Sequence, residues 1–312
     1  MISPIRRLQR ITHQQLRAFE ATARLQSVTL AARELHVTQP TVSVQLRDLA
    51  NAIGEPLFEA TGRRIRLTQS GELLLQTAGD ITRCWQRFES RMAETQGLVR
   101  GRLRIAAVTT AEYFVPDLLG PFADAHPGVD IELAVENRDR VVARLQQGLD
   151  DLAVMMLPPR DVPLEVRPFL ANPLVVIARA GHPLAGRRLT LARLAKERWL
   201  LREQGSGTRM AAQEHFSAKG FDPLVAMSLG SNEAIKHAVA AGLGIAVVSR
   251  LAVLDVLPDS GSPGSAKLVQ LQVQGFPLKR SWSVVWRKEQ ALSAAARRFI
   301  DYLSEPPGQT KP

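Results

Sequence analysis

The stretch TLAARELHVTQPTVSVQLRDLA, residues Thr29–Ala50, constrains this chain more than any other. Its apolar residues fall at helical spacing in two short runs, broken at His36-Val37-Thr38. Ala31, Ala32 and Leu35 share one face of the first run; Val42, Leu46 and Leu49 share one face of the second. Thr38 is a good N-cap, and Pro40 falls in the first turn, where a missing N–H costs little. The outward face of the second run carries Gln39, Thr41, Ser43, Gln45 and Arg47. These short polar groups and one guanidinium can reach base edges and phosphates in a major groove. The same pattern also describes a helix hairpin with a solvated polar face, so the surroundings must separate the two readings.

Residues 13–26 predict a preceding helix, with Leu16, Phe19 and Ala23 on one face and Thr12 as its cap. Downstream, EPLFEATGRRIRLT sets the turn Thr61-Gly62 between Phe58 and Ile65, and Arg63, Ile65 and Leu67 alternate with Arg64 and Arg66. That is a small β-wing with a basic tip, suited to phosphates or a minor groove. Residues 1–70 hold ten arginines, no lysine and five acids, so half of the chain's net charge of +10 sits in under a quarter of its length. The N-terminal unit is therefore the expected polyanion-binding part.

Residues 69–96 predict one long helix running from Ser70-Gly71-Glu72 to Gln96-Gly97. Leu74, Ala78, Ile81, Trp85, Phe88 and Met92 recur at alternating spacings of four and three, the period of a coiled-coil seam. A compact three-helix unit cannot cover such a seam, so it predicts dimerisation; packing within one chain is the other reading. Two paired recognition helices would then face two half-sites. Cys84 lies on this seam and is expected to be a buried, inert thiol.

The full 312 residues exceed one ordinary core, and two or three units are expected. With Cys84 the only cysteine, no intramolecular disulfide is possible, as suits a reducing cytoplasm. The start MISPIRRLQRITHQQ lacks an apolar h-region, and no apolar run reaches the ~18 residues of a membrane helix. The expectation is a cytoplasmic protein.

From Gly101 strand-like runs alternate with helical ones. Strands are expected at 103–108, 129–135, 151–156, 173–178, 226–230, 244–249 and 282–286; helices at 115–125, 138–148, 208–219, 232–241 and 291–303. The alternation predicts parallel sheets in two lobes, with ligands beyond the carboxyl ends of the strands. The loops there are Val108–Glu112, Glu136–Arg138 and Leu229–Asn232. In REQGSGTRM (202–210), Gly205 and Gly207 would let backbone approach a ligand, and Ser206, Thr208, Arg209 and a helix start would make an anion site. A plain Gly-rich turn before a capped helix is the other reading, and the spacing fits neither a P-loop nor a dinucleotide fingerprint.

Catalysis has little support. The six histidines are scattered without metal-ligand spacing, and no Ser/His/Asp arrangement can be assembled. Asp150-Asp151 fits a turn and cap better than an acid pair. An enzyme fused to a DNA-binding domain, or a pure solute-binding protein, fits these features less well than a regulator.

Together the segments resemble the LysR-type transcriptional regulators, from about Thr12 to Leu303. The likeness is carried by QLRAFEATARLQSVTLAARELHVTQPTVSVQLRDLA, by GEPLFEATGRRIRLTQSG, by the long helix and by the α/β region. AVTTAEYFVPDLLG, NPLVVIARAGHPLAGRR, REQGSGTRM, LGSNEAIKHAVAAGLG and GFPLKRSW look like one subgroup, the regulators of RuBisCO (Calvin-cycle) operons. A regulator of another metabolic operon is the neighbouring reading.

The resemblance implies a winged helix-turn-helix over 12–69, a linker and dimerisation helix over 70–98, and an effector domain over 101–305 like type 2 periplasmic binding proteins. Lobe I would comprise 101–172 and 277–305 and lobe II 173–276, with crossover strands near Pro173–Ala178 and Ser281–Trp286. It further implies a dimer or tetramer that bends double-stranded promoter DNA, contact with RNA polymerase, no cofactor, no metal and no membrane. The implied effector is a phosphorylated metabolite or NADPH. Base reading would fall to Gln39, Pro40, Thr41, Ser43 and Val44, beside Gln45 and Arg47, with Arg63 and Arg64 on the wing. The effector cleft would fall to Thr109, Thr110, Asn137, Arg138, Ser206, Thr208 and Arg209, with Asn232 nearby. Ala60 stands where many relatives carry Arg, and Val44 where Arg or Met is common. The basic extension Ile5–Arg10 exceeds the usual start.

Overall fold

The computed structural model describes residues 10–61, 64–94, 99–254, 256–257 and 267–304. The extension before Arg10, the wing tip at Gly62 and Arg63, the expected helix stop at Gln96-Gly97, the loop at 258–265 and the tail from Glu305 lie outside the described residues. The chain divides into two compact units, Met1–Phe88 and Glu89–Pro312.

In the first unit, local capping starts each of the first three helices where the sequence places a Ser or Thr. Helix α1 (His13–Leu25) opens with a reciprocal pair: Gln15 N–H donates to Thr12 Oγ1, and Thr12 N–H donates to Gln15 Oε1 at 2.8 Å. Ser27 accepts from Leu30 N–H ahead of α2 (Val28–Glu34). Thr38 accepts from Thr41 N–H ahead of α3 (Gln39–Ile53), with Pro40 in the first turn. Gly54 closes α3 at φ +91°, and its N–H reaches Ala50 O at 2.7 Å. Ala18, Ala21, Ala31, Ala32 and Val42 are buried together where these helices meet. Side chains this small let the helix axes approach closely, and added volume would strain the packing.

Strands β1 (Phe58–Thr61) and β2 (Arg64–Leu67) pair antiparallel as the wing, Phe58 opposite Leu67 and Thr61 opposite Arg64. Helix α4 (Gln69–Glu94) starts against the wing's base. Thr68 Oγ1 accepts from Gly71 N–H at 3.0 Å and donates to Pro56 O at 2.6 Å. A Cβ on Gly71 would stand 2.2 Å from Leu57 O, so only glycine permits this approach.

This contact corrects the expected seam. Leu74 and Ala78 are buried with Leu16, Phe19, Leu49 and Leu57 in the core of the first unit. A three-helix unit with a wing is large enough to cover the first turns of α4. Ile81, Trp85, Phe88 and Met92 remain exposed. Cys84 is exposed as well, against the expectation of a buried thiol, because it follows the last helix turn that the core covers.

The second unit contains two mixed sheets. The first runs in the order β4-β3-β5-β13-β6, from β3 (Gly101–Val108), β4 (Val129–Glu136), β5 (Leu152–Met155), β6 (Leu164–Ala171) and β13 (Ser281–Arg287). The second runs β10-β9-β11-β7-β12-β8, from β7 (Leu174–Arg179), β8 (Arg188–Leu189), β9 (Arg198–Arg202), β10 (Leu224–Leu229), β11 (Ile245–Ser249) and β12 (Leu268–Val273). Helices α5 (Val115–Ala125), α6 (Arg138–Gln147), α7 (Gly207–Ala218), α8 (Asn232–Ala240) and α9 (Ala294–Ser304) connect or follow them.

Neither sheet is purely parallel, which corrects the expectation. β13 runs antiparallel to β5 and β6, and β7 runs antiparallel to β11 and β12. The reason is the path of the chain, which passes between sheets at Asn172-Pro173 and returns at Leu278–Arg280. The two passages are tied: Asn172 N–H donates to Arg280 O at 2.7 Å, and Leu174 and Leu278 exchange bonds of 3.0 and 2.9 Å. Buried Asn172 is engaged through both ends of its amide, accepting from Ser249 Oγ at 2.7 Å and contacting Met156 Sδ through Nδ2.

Candidate functional site

On α3, Gln39, Pro40, Thr41, Val44 and Arg47 are exposed, while Ser43 and Gln45 are half-buried. The reason is the burial of Val42 and Leu49, which turns the intervening positions outward. Gln39 Nε2 lies 3.4 Å from Ser43 Oγ, one turn away on the same face. Thr41 is partly committed, since its hydroxyl lies 2.8 Å from Thr38 Oγ1 in the cap. Ser43 and Arg47 border a groove against the wing residues Phe58 and Ile65. Arg64 opens β2 opposite Thr61.

A second site lies where the two sheets of the second unit meet. Five strands end there: β3 at Val108, β4 at Glu136, β5 at Met155, β9 at Arg202 and β10 at Leu229. Val108, Thr109, Thr110, Arg138, Met156, Ser206, Gly207, Thr208 and Trp282 line the cleft between them. Its free volume is about 10 Å³, roughly that of one water, so a metabolite requires the lobes to part.

Arg202 is the centre of this arrangement and was not among the expected site residues. It is 1% exposed. Its Nε and Nη2 grip Glu203 at 2.8 and 3.0 Å, Nη1 donates to Asn232 Oδ1 at 2.7 Å, and Nη2 donates to Thr109 Oγ1 at 3.0 Å. Asn232 Nδ2 donates to Thr110 Oγ1 at 3.1 Å. Both threonine oxygens therefore accept from the protein, leaving their O–H groups to donate into the cleft. Glu203 balances the buried charge of Arg202, so Arg202 positions its neighbours rather than supplying free positive charge.

Further donors come from elsewhere. Arg138 is held by Nε, which donates to Leu157 O at 2.9 Å, and its Nη1 lies 3.6 Å from Asp139 Oδ1; Leu157 sits at φ +54°, a strained value for a branched side chain. Ser206 and Thr208 are 5% and 3% exposed, and neither hydroxyl has a partner among the described residues. Ser206 does not cap α7 with its side chain, so the helix N-terminus faces the cleft uncapped. The Trp282 indole N–H is buried and unpartnered too, among the described residues.

The mouth carries a clasp between lobes. Tyr113 Oη donates to Glu233 Oε1 at 2.6 Å, Lys236 Nζ pairs with the same oxygen at 2.7 Å, and Lys236 lies 5.2 Å from the Tyr113 ring centre. Burial raises the Glu112 pKa, with help from Glu233. Burial opposes ionisation of Glu233 as well, but its bonds from Lys236 and Tyr113 outweigh this and its pKa falls.

Of the expected effector residues, the cleft gathers Thr109, Thr110, Arg138, Ser206 and Thr208 at its wall, with Asn232 behind them. Two do not reach it. Arg209 Nη1 donates to Arg202 O at 3.0 Å and Ser228 Oγ at 3.1 Å, bracing β9 against β10 because helical geometry turns it away from Thr208. Asn137 caps α6, accepting from Arg140 N–H. Gly205 stands at φ +79°, a conformation that favours glycine, with the exposed Asp139 carboxylate beside it; at Gly207 a Cβ would meet only ordinary protein contacts. Asp150, expected in a turn and cap, is instead buried in a two-bond pair with Arg144, each bond 2.8 Å. Among the described residues no His/Cys/Asp/Glu group could hold a metal, and no helix is long and apolar enough to cross a membrane.

A winged helix-turn-helix followed by two lobes closing on an anion-friendly cleft defines the class of ligand-responsive transcriptional regulators. Residues 13–72 match the bacterial regulatory helix-turn-helix protein model of the lysR family, and residues 96–306 match the LysR substrate binding domain. The chain belongs to the LysR family of transcriptional regulators.

It is 45% identical over 293 residues to the HTH-type transcriptional activator CmpR of Synechocystis sp., covering 94% of each chain. It is 42% identical over 294 residues to the RuBisCO operon transcriptional regulator of Allochromatium vinosum, covering 94% of this chain and 95% of that one. Among solved structures, the Synechocystis PCC6803 CcmR regulatory domain in complex with 2-PG matches at TM-score 0.61 and 42% identity, covering 65% of this chain and 95% of that one. A full-length OxyR variant from Pseudomonas aeruginosa, at TM-score 0.70 and 23% identity, shares the fold over 94% of this chain and 96% of its own.

Proposed function

We propose that this regulator binds promoter DNA of carbon-fixation genes as a dimer or tetramer and is switched by a small phosphorylated anion in the lobe cleft. The observation that carries the effector class is the donor set: the Ser206 and Thr208 hydroxyls without partners among the described residues, Arg138 at the cleft wall with its Nη1 only 3.6 Å from the exposed Asp139 Oδ1, a contact that a bound anion can replace, and the uncapped start of α7. The names of the relatives, a RuBisCO operon regulator among them, support the target genes, and the CcmR domain's complex with 2-PG supports the effector chemistry.

In this reading Gln39 and Ser43 contact base edges and exposed Val44 meets a thymine methyl, as apolar side chains do in a major groove. Pro40, Thr41, Gln45 and Arg47 fix the helix against the backbone, and Arg63 and Arg64 follow phosphates beside it. Ile81, Trp85, Phe88 and Met92 form the self-association face. Contact with RNA polymerase completes the activation step.

Footprinting on the DNA upstream of a neighbouring RuBisCO operon tests this. Protection of two adjacent sites whose spacing changes with 2-phosphoglycolate is expected; no protection there, or protection indifferent to any phosphorylated metabolite, refutes it.

A further inference from the structure

At the other end of β9 from Arg202 lies a second basic pocket. It is lined by Arg179, His182, Lys196, Glu197 and Arg198 together with the turn Gly242–Gly244. Arg198 begins β9 and Arg202 ends it. Four strand steps of about 3.3 Å place the two arginines roughly 13 Å apart, so the pocket is separate from the cleft.

Arg179, Lys196 and Arg198 are exposed at the pocket, and their side chains make no hydrogen bond or ion pair with another described residue. The acid present, Glu197, is turned to His182, whose Nε2 lies 3.6 Å from Glu197 Oε2. His182 is itself fixed, since its Nδ1 accepts from Leu184 N–H at 3.3 Å. Three cations thus share one concavity with a single carboxylate already engaged. Such crowding is unfavourable unless an anion neutralises it.

The backbone keeps the concavity open. Gly242 stands at φ +80°, and a Cβ there would come within 3.2 Å of Arg179 Cδ; a Cβ on Gly244 would stand 2.2 Å from Arg198 O. Side chains at this turn would therefore displace the two arginines. The volume is about 290 Å³, at the lower edge of the ~300–1,000 Å³ typical of small-molecule sites and too small for a protein helix.

We infer that this pocket is a second anion site, which takes the phosphate group of a small phosphorylated ligand between Arg179, Lys196 and Arg198. Two guanidinium groups and an ammonium suit a tetrahedral dianion, which accepts several charge-assisted bonds at once.

Lysine acetylation on the full-length protein, read by mass spectrometry with and without inorganic pyrophosphate, tests the site. At saturating pyrophosphate the Lys196 rate falls about tenfold while Lys219 and Lys288, also exposed, keep theirs. The protection disappears in the double variant Arg179→Gln/Arg198→Gln and survives in the cleft variant Thr208→Val. Equal rates at Lys196 with and without pyrophosphate overturn the inference, as does protection that persists in the double variant. Protection lost in Thr208→Val assigns the effect to the cleft instead and also overturns it.

Discussion

Replacing Arg202 by methionine is the most informative single perturbation of the cleft. The side chain is 1% exposed and spans Glu203, Thr109, Thr110 and Asn232. Methionine fills most of the volume but donates nothing. Asn232 Oδ1 is then left buried without its donor, at about 1–3 kcal/mol, and Glu203 loses a two-bond partner. Glu203 is partly exposed and rehydrates, so its share is smaller. No buried charge is left behind, so the orphaned Asn232 acceptor sets the scale and Arg202→Met should cost about 1–3 kcal/mol.

Trp199 and Trp282 are fully buried in the second unit, so fluorescence in urea follows its unfolding. With an m-value near 2 kcal/mol/M, the midpoint should fall by about 0.5–1.5 M at unchanged slope. Replacing both partners, Arg202→Met with Asn232→Leu, should recover about 1.5–3 kcal/mol relative to the sum of the single losses, because no orphaned acceptor remains between them. A midpoint shift under about 0.5 M, or strict additivity, would refute the positioning role.

Gly71→Ala should destabilise the first unit by about 1–3 kcal/mol, since its Cβ meets Leu57 O at 2.2 Å; circular dichroism in urea reads this, and a neutral result contradicts the packing described. Trp85→Asp should weaken self-association by at least about tenfold in sedimentation, and an unchanged equilibrium assigns the exposed stripe of α4 another role. Burial lowers the pKa of His215, with Lys219 and Arg280 adding to it, and burial with Arg298 does the same for His126. Between those lowered values and the ordinary histidine pKa the unfolded chain binds more protons, so stability rises with pH across that window and is lost below it. His215→Gln should flatten the urea midpoint's fall from about pH 7.5 down to about 5.5; an unaltered profile removes His215 from that account.

The helix pair was legible because its boundaries rest on local chemistry. Thr12 and Thr38 cap where expected, and Val42 and Leu49 face inward. The seam was half legible: its period does not say which turns another element covers, and Leu74 and Ala78 went to the local core. Strand β6 was hidden by Arg167 and Pro168 at a sheet edge, where polar residues and proline are tolerated. Strand β9 was hidden by the arginines at both its ends, Arg198 and Arg202, which leave only Trp199, Leu200 and Leu201 as an apolar run. In the cleft, hydroxyls beside a helix start announced Ser206 and Thr208, but Arg202 looked like one more surface arginine. Only the sheet register, which brings the end of β9 beside Thr109 and Asn232, shows that it is buried.

Calorimetric titration of 2-phosphoglycolate into the full-length protein and its Thr208→Val variant tests the central claim most directly. Thr208 keeps its shape in the variant and loses only the hydroxyl, worth about 1.5–3 kcal/mol toward a charged ligand. Saturable binding that weakens by roughly 10–150-fold in Thr208→Val is the predicted result. Binding of equal strength in both proteins, or none in either, would contradict a phosphorylated effector in this cleft.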